Sequence, residues 1–179
     1  MTTKTITGEK AELVQTLQRH RGFLLQTLQG LDREQATRRT TCSELDLAGL
    51  VKHVADVEER WTDFCRRGPV AFGDDGLDWS DPDALARAMA WHAQGFHLTD
   101  AESLDGVLAR YAEVAADTDA MISDADLDAA HPLPARPWFA AGAVWSVRRA
   151  LLHLLAETAQ HGGHADILRE AVDGAKTMG

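Results

Sequence analysis

The sequence is poor in cysteine and contains no long apolar run. Two of its 179 residues are cysteines, and the spacing of Cys42 and Cys65 matches no zinc or redox motif. Such scattered thiols argue against a disulfide framework and favour a reducing compartment. No apolar stretch reaches the ~18 residues that a membrane-spanning helix needs, and no signal peptide is visible. We therefore expect a cytoplasmic protein.

Positive charge is also scarce, since 18 Lys and Arg residues face 28 Asp and Glu residues and leave a net charge of −10. An acidic surface repels phosphate backbones and anionic lipid headgroups, so neither nucleic acid nor a membrane is an expected partner. The hydrophobic fraction of 45% is ordinary for a globular protein. Together with the length, it predicts one domain over residues 1–179.

Apolar residues recur at helical spacing in the first third of the chain. They predict a first helix from Glu9 to Gln29, ended by Gly30 in the left-handed conformation. The stretch Leu31 to Thr41 is a polar connection with one helical turn. A second helix is expected to begin at a Ser43 cap and to stop before Gly68. Its apolar stripe steps by four, three, four and three residues: Leu50, Val54, Val57, Trp61 and Phe64.

The remaining helices are predicted in the same way. A short helix over Pro82 to Trp91 follows an aspartate cap, and a third long helix runs from Ala101 to Ser123, with Thr99 and Glu102 as a capping box. A fourth runs from about Val144 to Val172, and no strand is predicted. The fold class is all-α: a four-helix bundle with a long crossover connection between the second and third long helices.

Three polar side chains lie at the edges of two apolar faces. Glu157 and His161 are four residues apart, so they lie one above the other on the fourth long helix. His53 borders the stripe of the second. If these edges face each other, two imidazoles and a carboxylate converge on a site suited to Zn²⁺ or Ni²⁺, or to Fe²⁺ or Mn²⁺, with one coordination position open. A Glu/His pair at this spacing also occurs on solvated helices, and spacing alone does not decide between a metal site and a solvated helix face.

The segments LVKHVADVEERW, LLHLLAETAQHGGHADILRE and LDREQATRR resemble the DinB/YfiT-like superfamily of bacterial metal-binding four-helix bundles, and within it an actinobacterial subfamily. The resemblance covers nearly the whole chain. Superfamily members typically carry one histidine on the second long helix and two, spaced by four, on the fourth. Here Glu157 takes the first of these last two positions, and the related mycothiol-dependent maleylpyruvate isomerases also use a His, Glu, His set. The resemblance implies a divalent metal ion at His53, Glu157 and His161, and a homodimer.

Other polar and aromatic residues near these positions carry weaker predictions. His153 and His164 are either outer partners of the ligands or solvated surface residues. Glu58, like its neighbour Asp56, either orients a ligand imidazole or is an ordinary surface charge. Trp61 either packs in the core or walls the open metal position. His92, His97 and His131 have no companion at ligand spacing.

Three functions compete at this point. The resemblance implies a metal-dependent thiol transferase or isomerase, in which a low-molecular-weight thiol such as mycothiol or bacillithiol attacks a small electrophilic substrate. A second hypothesis is a non-catalytic metal-binding stress or sensor protein. The third is a metal-assisted hydrolase, for which Glu58 is the nearest candidate base.

Overall fold

The computed structural model describes residues 7–73, 79 and 81–177, which form six α-helices and one short pair of strands. The helices are α1 (Glu9–Gln26), α2 (Arg33–Ala36), α3 (Leu47–Arg67), α4 (Pro82–Gln94), α5 (Leu104–Asp124) and α6 (Val147–Asp173). A 3₁₀ helix, Gly68–Phe72, follows α3 directly. The antiparallel strands are β1 (Ala130–Pro132) and β2 (Val144–Ser146).

The four long helices α1, α3, α5 and α6 form the bundle. Lys52 of α3 pairs with Glu102, just before α5, at 2.8 Å. Near the other end of α3, Arg66 pairs with Asp117 of α5 at 2.6 Å. Because contacts advance in the same direction along both helices, α3 and α5 run parallel. Their connection must therefore return along the length of the bundle, and the predicted crossover is confirmed.

A second parallel pair consists of α1 and α6. Arg148, at the start of α6, bonds to Glu9 at the start of α1. Arg169, near the end of α6, donates to the carbonyl oxygen of Thr27, just after α1. The bundle is consequently up-down-down-up. The two faces that the sequence predicted to carry metal ligands belong to α3 and α6, which are antiparallel neighbours.

The start of α3 differs from the prediction. The cap is Asp46, whose carboxylate accepts from the backbone N–H of Gly49 at 2.7 Å. The hydroxyl of Ser43 accepts instead from the N–H of Leu45 at 3.2 Å and so stabilises a turn before the helix. Both residue types satisfy free N–H groups at helix starts, and the prediction named Ser43, which comes first in the sequence.

The predicted start of α5 is also wrong. Glu102 does accept from the backbone N–H of Thr99, at 2.7 Å, but this bond belongs to a turn that precedes the helix. The helix is capped by Ser103, whose hydroxyl accepts from the N–H of Gly106 at 3.0 Å.

The absence of strands was a further wrong prediction, because β2 occupies the first residues assigned to the last long helix. That helix therefore begins at Val147 rather than Val144. The predicted end of the first helix is wrong: α1 ends at Gln26 rather than Gln29, residues 27–30 form a turn, and Gly30, with its φ of 76°, lies beyond the helix. Two other local predictions are confirmed, since α2 supplies the single helical turn and Asp81 caps α4. No helix in the described part of the chain combines the length and apolarity needed to cross a bilayer.

Candidate metal centre

His53 of α3 and Glu157 and His161 of α6 meet at the α3–α6 interface. Each offers one ligand atom, and these atoms all lie within 4.8 Å of one another. The Glu157 Oε2 to His161 Nε2 distance is 3.5 Å. Ligand atoms on one tetrahedral Zn²⁺ lie roughly 3.5 Å apart, given bonds of about 2.0–2.2 Å. The sequence placed these residues at facing edges, and the structure brings them close enough together to be candidate ligands of one ion.

The protonation states of His53 and Glu157 also suit a cation. Burial, reinforced by repulsion from the neighbouring imidazoles of His161 and His92, lowers the pKa of His53 to about 3. Its ring is thus neutral and keeps a free lone pair at neutral pH. A hydrogen bond with His161 lowers the pKa of Glu157 against the opposing effect of burial, so this carboxylate is ionised.

The lowered pKa of His53 predicts how the stability of the metal-free protein depends on pH. Since protonation is harder in the folded state than in the unfolded state, stability is complete above about pH 6.5 and falls as the pH drops towards 3. Between pH 7 and pH 5 the loss attributable to His53 is about 2 kcal/mol. We expect urea unfolding in the presence of a chelator to show a smaller loss for His53→Asn than for the unmodified protein. Equal losses over this interval would contradict the assignment.

Three rings surround the imidazole of His53, which is 7% exposed. Phe96 stacks on it, with 3.9 Å between centroids and 22° between planes. His161 and His92 approach edge-on at 5.0 and 5.3 Å. His92 therefore contacts the His53 ring, but among the described residues it is not one of the three groups that share the 4.8 Å spacing, which agrees with the prediction that it has no companion at ligand spacing.

A cleft of about 280 Å³ opens beside His53, between α3 and the end of α4. We call it the α3–α4 cleft. It is lined by Lys52, His53, Asp56, Val57, Arg60, His92, Gln94, Gly95 and Thr99. Most of these side chains carry hydrogen-bonding groups, so hydrogen bonds are available to a small molecule that reaches His53 through the cleft.

Two further histidines of α6 flank the cluster. His164 is exposed, and its Nδ1 lies 3.5 Å from Nδ1 of His161. Nε2 of His153 lies 3.7 Å from the second oxygen of Glu157. Both histidines are therefore close enough to interact with a candidate ligand side chain.

Trp61 is buried, stacks on Trp145 with 5.1 Å between centroids, and belongs to the core.

Glu58 does not face the cluster. It is fully buried, and both carboxylate oxygens accept from Arg21 of α1, one of them at 3.1 Å. Arg21 is 5% exposed and also bonds to Asp119 at 2.8 Å. The expectation of an ordinary surface charge is wrong, because Glu58 lies on the inner face of α3. Asp56 is paired with Arg110 at 2.6 Å.

The helical bundle and its His–Glu–His cluster define a protein of the DinB/YfiT-like class, as the sequence indicated. A family model described as mycothiol-S-transferase matches residues 12–174. The chain belongs to this family. A search of curated proteins finds no match.

Proposed function

We propose that the protein is a metal-dependent thiol S-transferase that uses mycothiol, or a similar low-molecular-weight thiol, on a small electrophilic substrate. One observation carries the proposal: in a chain of the mycothiol-S-transferase family, three ligand groups from two helices converge within 4.8 Å beside an open cleft. An isomerase that works through the same thiol would use the same groups.

The ligand set determines which ions suit the site. Two imidazoles and one carboxylate favour Zn²⁺ or Ni²⁺ and leave a coordination position for an exogenous ligand. A divalent ion held by His53, Glu157 and His161 would favour the thiolate form of a bound thiol, which is its nucleophilic form. Glu157 is ionised and would offset part of the charge of the ion. Phe96 covers one face of His53 and keeps water from it.

The α3–α4 cleft would hold the remainder of the thiol or the electrophile. Gln94 and Thr99 offer an amide and a hydroxyl, and His92 offers ring nitrogens at the edge of the cluster. Such groups can form hydrogen bonds with a polyhydroxylated molecule from several sides. In this proposal the residues of the cleft bind and orient the reactants, and the reaction takes place at the His53 end.

The contacts of Glu58 weaken the hydrolase hypothesis but do not affect that of a non-catalytic metal-binding protein. The hydrolase hypothesis needed Glu58 as a base, but both oxygens of this carboxylate are bonded to buried Arg21, so it loses its candidate residue. A non-catalytic metal-binding protein needs the same cluster without affinity for a thiol. The single domain, the cytoplasmic location and the homodimer remain predictions from the sequence.

The test begins with elemental analysis of protein purified without a histidine tag, which should contain Zn or Ni. Metal-loaded protein is then incubated with mycothiol and a chlorobimane, and conjugate formation is followed by fluorescence. We expect turnover that depends on metal and disappears in His161→Ala. Metal binding without turnover or calorimetric affinity across several thiols would instead support the non-catalytic alternative.

A further inference from the structure

The segment 95–99, which follows α4, lies unusually close to the first turns of α3. A Cβ atom built on Gly49 would lie 1.7 Å from the carbonyl oxygen of Phe96 and 2.4 Å from its carbonyl carbon. It would also lie 3.0 Å from the backbone nitrogen of His97. These are backbone atoms and cannot rotate away as the end of a side chain could. The observed approach therefore requires glycine at position 49.

Two polar contacts hold the same segment against α3. Lys52 donates from Nζ to the carbonyl oxygen of His97 at 3.0 Å. The ring of His97 lies with Nδ1 3.0 Å from the carboxylate of Asp46, the side chain that also caps α3 through Gly49. These contacts hold the segment from positions before and after Gly49, the point at which it lies closest to α3.

This docking determines where the ring of Phe96 lies. With its backbone against Gly49, Phe96 stacks on His53 at 3.9 Å between centroids, one turn further along α3. The rings of His53 and His161 then meet in a T-shaped arrangement, with 5.0 Å between centroids. A side chain at position 49 would push the backbone of Phe96 outward and remove its ring from the imidazole face.

We propose that Gly49 is a positioning residue for the metal centre: its missing side chain lets Phe96 fix the orientation of the His53 ring towards Glu157 and His161. The inference rests on the proposed function, since it concerns the same three ligands. Groups that orient a metal ligand affect affinity by roughly 10–100-fold when they are removed.

The test compares Gly49→Ala with Gly22→Ala. Gly22 is also helical, but nothing lies within 4 Å of an added Cβ there, so it is a matched control. Zn²⁺ affinity is measured by competition with a chromophoric chelator. We expect the dissociation constant to rise at least about tenfold for Gly49→Ala and to stay unchanged for Gly22→Ala. With Co²⁺ in place of Zn²⁺, Gly49→Ala should also shift the visible absorption bands, which report ligand geometry.

A second pair of variants decides the matter if Gly49→Ala does not fold. Phe96→Ala removes the ring without a clash and should weaken Zn²⁺ binding to a similar degree, whereas Phe96→Tyr keeps the ring and should retain affinity. Lower melting temperatures of the metal-free variants with unchanged Zn²⁺ affinity would show a merely structural role and overturn the inference alone. Failure of the unmodified protein to bind either Zn²⁺ or Ni²⁺ would overturn both this inference and the proposed function.

Discussion

Replacement of Glu157 by glutamine is expected to lower the affinity for Zn²⁺ by more than the roughly 10–100-fold that loss of an outer partner costs. The variant keeps the shape of the side chain but removes the only negative charge among the three ligand groups. The two neighbouring imidazoles, with Nε2 of His161 at 3.5 Å and Nε2 of His153 at 3.7 Å, would then face a neutral amide. Metal-dependent conjugation of mycothiol should be lost in parallel.

Thermal unfolding provides a second measure of the same effect. An ion present at 100 times its dissociation constant stabilises the folded state by about 2.7 kcal/mol, and this stabilisation should disappear in Glu157→Gln at the same Zn²⁺ concentration. The matched control is Gln160→Ala, an exposed change on the same helix, which should leave both measurements unaltered. His164→Ala should weaken Zn²⁺ binding by no more than the roughly 10–100-fold expected for loss of an outer partner. Wild-type affinity in Glu157→Gln would show that this carboxylate is not a metal ligand.

Breaking the buried ion pair between Arg21 and Glu58 is expected to have the largest effect on stability. Arg21→Met leaves the fully buried Glu58 carboxylate without its charged partner. Removal of one partner of a buried pair costs about 3–5 kcal/mol, a large fraction of the 5–15 kcal/mol that typically stabilises a domain. Urea unfolding should therefore show a much lower midpoint, with little change in slope.

Two comparisons separate this effect from a general loss of charge. Arg66→Ala breaks an ion pair whose side chains are 41% and 57% exposed, and it should cost no more than about 1 kcal/mol. The double variant Arg21→Met/Glu58→Leu leaves no unpaired buried charge at position 58 and should recover part of the loss. A single-variant cost within about 1 kcal/mol would mean that water or another group compensates for the missing guanidinium.

The sequence predicted the long helices because their apolar residues recur at a period that only a helix satisfies. It failed where several residues could perform one task. Ser43 and Asp46 are both good caps, and the geometry of the preceding turn, which no local pattern records, decides between them. Strands β1 and β2 have three residues each, too few for an alternating pattern to be recognised.

The candidate site, too, could be predicted from the sequence only in part. Glu157 and His161 share one helix, so their spacing alone predicts proximity. The approach of Phe96 and His92 to His53 depends on the path of the crossover segment, to which the sequence gives no local guide. The Arg21–Glu58 pair did leave a signal: Arg21 lies four residues after Leu17 and three before Leu24, in register with the buried face of α1. A charged residue in such a position predicts a buried partner of opposite charge.

The parallel arrangement of α1 with α6 bears on how the chain reaches its native state. Each parallel pair joins segments that no short turn can connect, so its contacts close long loops and raise the mean sequence separation of contacts, which slows folding. During synthesis α6 is the last of these helices to leave the ribosome, and it supplies both Glu157 and His161. A nascent chain therefore lacks two of the three candidate ligands until α6 has emerged and docked, and capture of an ion would report that α6 has docked.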